Sequence, residues 1–288
     1  MVRPRTLAHA AGLSLLLLAP AQARAACPGP EALAAYLADF AAARPSAGFG
    51  SGLTGDDAAC ARRRLIEQIP ARLGPRVGYK AAFTNPATQR RFGVEGPAWG
   101  AMFAWGLHPS GVTLPVRFGA MPHVEADLLV VVKGPGLAGA RDPREALRHI
   151  EAVVPFIELP DLMLGGPVTG PAVIATNVGF RAGVLGTPIP VQPTAAFHDA
   201  LAAMTVVAHE EHSGVELGRA RGAALMEHPL HAALWLARSL RQEGIELRPG
   251  DLLSLGAFLP AAPATPDSRI SVRYLGLPGD PSVSVAFE

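Results

Sequence analysis

At 288 residues, with 49% apolar and 17% charged side chains, the chain is long enough for one large domain or two modest ones. That apolar content excludes disorder as a general state. The formal net charge of +1, with no clustered basic run, excludes a nucleic-acid surface as the organising feature.

Met1 to Ala25 reads as a secretory signal. Arg3 and Arg5 form a basic start, Ala10 to Pro20 a short apolar core, and Ala23-Arg-Ala25 a small-x-small cleavage site. The core is too short to span a bilayer. Cys27 raises a lipid-anchor alternative, but Arg24 stands where such a signal wants leucine. The mature chain is therefore expected to be exported, periplasmic or secreted, with no membrane anchor. Removing the segment takes away three arginines and no acids, so the net charge falls from +1 to −2. Cys27 and Cys60 either pair in that oxidising compartment, tying the first helix to the second, or stand as two thiols.

The first expected helix covers 31–43, with Leu33, Leu37 and Phe40 at helical spacing, and ends at Arg44-Pro45. The second opens at Thr54, with Asp57 at the capping-box spacing, and runs to about Leu73. Residues 26–75 thus form a helical N-terminal region, and 76–288 the remainder. There, 76–83 reads as a strand, 84–91 as a short polar turn of helix and 93–103 as a loop. Asp142 caps a helix of about ten residues from Pro143. Segments 172–175 and 182–185 read as strand pieces, and 204–209 with 215–221 as a hairpin around His212-Ser-Gly214. Pro229 to Glu243 reads as a helix closed by Gly244, and the last forty residues as short strands. Helices first and strands later give an α+β class with a mixed or antiparallel β core.

The chemistry gathers around Met121–Lys133. A branched apolar run follows Glu125 and Asp127, and residues two apart on a strand share a face. Two adjacent carboxylates drawn out of water repel unless a cation lies between them. Oxygen-only ligands suit Mg²⁺, Ca²⁺ or Mn²⁺ better than zinc. Glu158, inside the apolar run 153–159, needs a partner for the same reason. Only two of the 25 basic residues are lysine, Lys80 and Lys133. Lys80 lies in an apolar strand, where an ammonium can shuttle a proton and a guanidinium cannot. Lys133, at a strand end beside Gly134-Pro135, reads as a surface residue. His209-Glu-Glu-His212 lacks the zinc-protease spacing, and His228 and His231 read as capping or packing.

Several segments together resemble the 2-keto-4-pentenoate hydratase family of the fumarylacetoacetate hydrolase C-terminal-domain superfamily. They are Gly78-Tyr-Lys80, Asn85-Pro86, Phe92-Gly-Val94, Val124-Glu-Ala-Asp-Leu128, Pro155-Phe-Ile-Glu158, Asn177, His228-Pro-Leu230 and Pro249-Gly-Asp251. The resemblance runs in order from about residue 30 to the end. It implies a helical N-terminal part, a mixed β-roll and a homo-oligomer. It implies Mg²⁺ or Mn²⁺ on Glu125, Asp127 and Glu158, with Lys80 as the active-site lysine. It also implies weaker substrate contacts from Asn177, His123 and Asp161, and a small 2-oxo acid as substrate. The chain departs from the pattern at His123 (usually Arg), Ala82, Leu162-Met163, Thr176, Gly179 and Ala257. Two function classes follow. One is a metal-dependent lyase, hydratase-like, with acylpyruvate-type hydrolysis or decarboxylation as variants of the same enolate chemistry. The other is an exported binding protein that keeps the scaffold without turnover.

Overall fold

The computed structural model describes residues 27–288; the expected signal segment and its cleavage site lie outside the described residues. Among the described residues no helix is long and apolar enough to cross a membrane.

Three helices come first: α1 (Pro30–Ala41), α2 (Gly55–Gln68) and the one-turn α3 (Pro70–Leu73). The expected capping box forms at α2, where the Thr54 hydroxyl accepts from the Asp57 amide and the Asp57 carboxylate accepts in return from Thr54 N–H. Cys27 and Cys60 are joined by a disulfide that ties the segment before α1 to α2. Leu33, Leu37 and Phe40 of α1 and Leu65 of α2 belong to the same buried core as the strands that follow.

Those strands, with their intervening helices, are β1 (Arg76–Ala82), α4 (Pro86–Phe92), β2 (Ala98–Phe103), β3 (Leu107–Pro109), β4 (Val112–Leu114) and β5 (His123–Val132). Next come α5 (Pro143–Ala146), β6 (Ile150–Pro160), α6 (Gly170–Ala175), β7 (Phe180–Leu185), β8 (Ile189–Pro190) and α7 (Ala195–Ala203). The chain finishes with β9 (Thr205–Glu210), β10 (Val215–Arg221), α8 (Pro229–Gln242), β11 (Leu252–Ser254), β12 (Ala262–Pro263), β13 (Arg269–Leu275) and β14 (Ser282–Phe287).

The strands form two mixed sheets. The larger runs β2-β1-β11-β5-β6-β7-β3, with β12 on β5 and β8 on β6; the smaller runs β10-β9-β13-β14-β4. Pairs β1/β11, β3/β7 and β4/β14 are parallel and the rest antiparallel. This is the α+β mixed-sheet class expected. The sheets meet through apolar faces and one polar post. Tyr274 of β13, fully buried, sets its hydroxyl between the carbonyls of Asp127 on β5 and Phe156 on β6, with its one proton to donate between them, and accepts from the Phe156 amide.

Three local expectations need correction. Residues 98–103 are a fully buried strand, not a loop. Pro97 and Trp99 make the stretch look like loop, yet Trp99 is buried in the strand and Gly100 serves a close approach, described below. Residues 172–175 are helix. The β-branched Val173 and Ile174 suggest strand, but Thr169 caps the segment by accepting from Ala172 N–H and Pro171 stands in the first turn. The α-helix after Asp142 lasts one turn and tightens to a 3₁₀ turn over Leu147–His149, because Ile150 is already paired with Val132 in the β5–β6 ladder. Helix α7 has no counterpart in the expected elements.

Candidate metal and active site

The cross-strand register brings the expected acids together. Glu125 on β5 lies directly opposite Glu158 on β6, and Asp127 lies opposite Phe156. Residues opposite one another on an antiparallel pair have their side chains side by side. Glu158 is completely buried, Lys80 of β1 is 3% exposed, and the two form an ion pair. The Lys80 ammonium also donates to the carbonyl of Val178, at 3.0 Å. The second oxygen of Glu158, Oε2, is buried with no hydrogen-bond partner in the protein. An orphaned carboxylate oxygen in the interior is costly.

Lys80 and Glu125 line a cavity of about 430 Å³. His123 joins them, while Phe83, Leu162, Val173, Val178 and Phe258 supply apolar wall. Arg91 stands at the exposed mouth. A larger and more open groove of about 950 Å³ runs along α8 and shares Thr84 and Asn85 with this cavity. It contains neither Lys80 nor the acids, so the smaller cavity is the one with chemistry.

Loss of water governs the charges. Burial pushes the Glu158 carboxyl up to about 7, with Lys80 pulling it down and Glu125 pushing it up. Burial raises Glu125 too, with Lys80 opposing and Asp127 adding. Burial likewise takes Asp127 to about 7, with the charge of Glu158 adding and the Ser254 hydroxyl and Leu128 amide opposing. Three acids that resist ionisation beside one ammonium make a site with excess negative potential when all are charged.

Not every expected residue does the expected work. Asp127 is buried, and its oxygens already have partners. Oδ1 accepts from the amides of Leu128, Leu255 and Gly256, and Oδ2 from the Ser254 hydroxyl. It ties β5 to the turn after β11. Among the described residues no group of three or more His, Cys, Asp or Glu is gathered to hold a metal ion together. The open donors are instead the pair Glu125 and Glu158. A hard divalent ion fits such a pair, because Mg²⁺ is commonly held by one or two carboxylates, with water and substrate filling the remaining positions. Orphaned Oε2 of Glu158 is the donor that such an ion would satisfy.

Asp161 and Asn177, expected to touch substrate, do not line the cavity. Asp161 accepts from the amides of Ala120 and Met121 and fixes the entry to β5. Asn177 holds both backbone groups of Ala101, as donor and acceptor. Both side chains are pinned to backbone, so neither is free to meet a ligand. His123 does line the cavity, with its ring held by the Met121 carbonyl at 2.8 Å. The sequence reading missed Val178 altogether. It is a β-branched residue at φ 44°, ψ 37°, a conformation that costs about 1–3 kcal/mol. Nothing in a lone valine announces this; the neighbouring Asn177 and Gly179, both tolerant of positive φ, were the available signal.

No protein-family model matches the chain. Curated relatives do. A TodF product hydratase of Pseudomonas putida is 33% identical over 218 residues, spanning 73% of this chain and 76% of the relative. A 4-oxalocrotonate decarboxylase of Pseudomonas sp. is 31% identical over 236 residues, 78% of this chain and 88% of the relative. A 2-keto-4-pentenoate hydratase of Burkholderia vietnamiensis is 30% identical, over 64% and 68% respectively. Among solved structures, 4-oxalocrotonate decarboxylase from Pseudomonas putida G7, complexed with magnesium and adipate, superposes with a TM-score of 0.78 at 24% identity, covering 90% of this chain and 97% of that one. Fumarylpyruvate hydrolase from Pseudomonas aeruginosa superposes at 0.54 with 19% identity, over 74% and 89%. By these relatives, the chain belongs to the 2-keto-4-pentenoate hydratase family.

Proposed function

We propose that the protein is a metal-dependent lyase, hydratase-like, acting on a small 2-oxo acid. The observation that carries the reading is the Glu125–Glu158 pair: Glu125 lines the cavity, and Glu158, fully buried opposite it, has an orphaned oxygen and Lys80 beside it. Glu125 and Glu158 would hold Mg²⁺ or Mn²⁺; support comes from family neighbours solved with Mg²⁺, Ca²⁺ and Mn²⁺. When bound, the ion supplies Lewis-acid polarisation of the keto oxygen and stabilises negative charge as an enolate forms. Lys80 is the ammonium of the cavity and moves the proton at the substrate's oxygen or adjacent carbon. Its contacts with Glu158 and the Val178 carbonyl hold it in place. Asp127 keeps the β11 turn closed against β5 and takes no part in proton transfer. The apolar wall of Phe83, Leu162 and Phe258 packs the carbon tail and limits where water can enter.

Export into an oxidising compartment goes with this reading, supported by the disulfide between Cys27 and Cys60. A homo-oligomer also goes with it, read by light scattering. Decarboxylation is the second reading, favoured by the decarboxylase among the relatives. Release of carbon dioxide against addition of water separates the two.

The deciding experiment is a thermal titration with Mg²⁺ or Mn²⁺, with and without oxalate as an enolate mimic. A ligand that binds only the folded state must raise the midpoint. The expected result is a rise with metal, enlarged by oxalate and abolished in Glu158→Ala. No rise in the wild-type protein overturns the proposal. A rise without turnover on any 2-oxo acid leaves a metal-binding scaffold.

A further inference from the structure

The Lys80 ammonium has two partners, Glu158 and the carbonyl of Val178. The second arises from an uncommon backbone. Asn177, Val178 and Gly179 have φ of 58°, 44° and 70°, three consecutive left-handed residues. Glycine takes this region freely and asparagine tolerates it; a β-branched residue does so only when its surroundings compel it. Here the compulsion has an anchor. Asn177 is 1% exposed, and its side-chain amide accepts from Ala101 N–H at 2.7 Å and donates to the Ala101 carbonyl at 2.9 Å.

That amide acts as the next strand of the sheet. β2 lies at the sheet edge, where one side of Ala101 pairs with Tyr79 of β1 and the other meets Asn177. Lys80 itself is paired with Gly100. The contacts close a ring: Lys80 backbone to Gly100, Ala101 to the Asn177 amide, and the Val178 carbonyl back to the Lys80 ammonium. Gly100 permits the approach, since a Cβ there would lie 2.5 Å from Val178 Cγ2 and 2.7 Å from the Asn177 carbonyl oxygen.

We propose that Asn177 is a positioning residue for Lys80: it locks the left-handed run against β2, so that the Val178 carbonyl holds the ammonium beside Glu158 on the cavity wall. The functional meaning rests on the reading of Lys80 as the proton-moving residue. The first test does not need turnover. Lys80 and Lys133 are the chain's two lysines, so ε-¹³C-lysine labelling gives two side-chain resonances. In Asn177→Ala, with native circular dichroism, the Lys80 resonance moves towards that of exposed Lys133. In Asn177→Asp, which keeps the acceptor for Ala101 N–H, it moves less. On a 2-oxo acid substrate, kcat of Asn177→Ala falls by about 100-fold, the scale of a small misplacement, while KM stays near the wild-type value. Folded variants with the Lys80 resonance unmoved overturn the proposal. Should Asn177→Ala fail to fold, Asn177→Asp decides alone. A wild-type protein with no turnover defeats the proposed function, while the lysine resonance still decides this inference.

Discussion

Replacing Lys80 by methionine leaves a side chain of similar length and removes the cation that faces Glu158. Both partners are buried, at 3% and 0% exposure, so solvent cannot take over the charge. In the wild-type protein Glu158 has its folded pKa near 7, against 4.5 for the free group. A raised acid pKa gives stability that is complete below the unfolded value and is lost as pH rises to the folded one. Over the two and a half pH units between them, at about 1.36 kcal/mol per unit, Glu158 removes about 3 kcal/mol of stability. Above pH 7 the wild-type loss levels off, because the carboxylate ionises against Lys80. In Lys80→Met that relief is gone and Glu158 stays protonated to higher pH. Above pH 7 the variant then loses stability with rising pH more steeply than wild type, by at most about 1 kcal/mol per pH unit. Urea midpoints at pH 5, 7, 8 and 9, in EDTA, measure this directly. The two stability curves should diverge above pH 7. Parallel curves across that range would refute the assignment of Lys80 as the partner that sets the ionisation of Glu158.

Asp127→Ala orphans the Gly256 amide and the Ser254 hydroxyl, while the Leu255 amide keeps the Leu128 carbonyl, so it should destabilise by about 2–6 kcal/mol, and added Mg²⁺ should not restore the loss. Full recovery with metal would return Asp127 to the ligand set. Tyr274→Phe removes the hydroxyl that joins the two sheets and leaves the Phe156 amide without it; denaturant unfolding should show a loss of about 1–3 kcal/mol. Reducing Cys27–Cys60 releases a cross-link spanning 33 residues of sequence separation, worth about 3–4 kcal/mol on the chain-entropy estimate, and calorimetry with and without reductant should see the melting point fall.

Much of this protein was legible from local pattern alone. The capping box at Thr54, the Pro229 helix, the hairpin around His212-Ser-Gly214 and the acid-bearing strand each follow from chemistry that acts over a few residues. Rarity singled out Lys80, and an acid in an apolar run singled out Glu158, because burying a charge without a partner is costly wherever the chain goes. The family likeness added the sheet class.

What only the tertiary structure decided was which atoms meet. Sequence spacing put Glu125 and Asp127 on one strand face, but the β5–β6 register set Glu125 opposite Glu158, while the β11 turn supplied donors that occupy Asp127. The family resemblance implied Asn177 and Asp161 as substrate contacts; the fold engages both side chains with backbone groups of Ala101, Ala120 and Met121 instead. Strain at Val178 and the bond from Tyr274 across two sheets join residues far apart in sequence. Hydrogen bonds and close packing act over a few ångströms in space, and a linear sequence does not record which distant groups will stand that close.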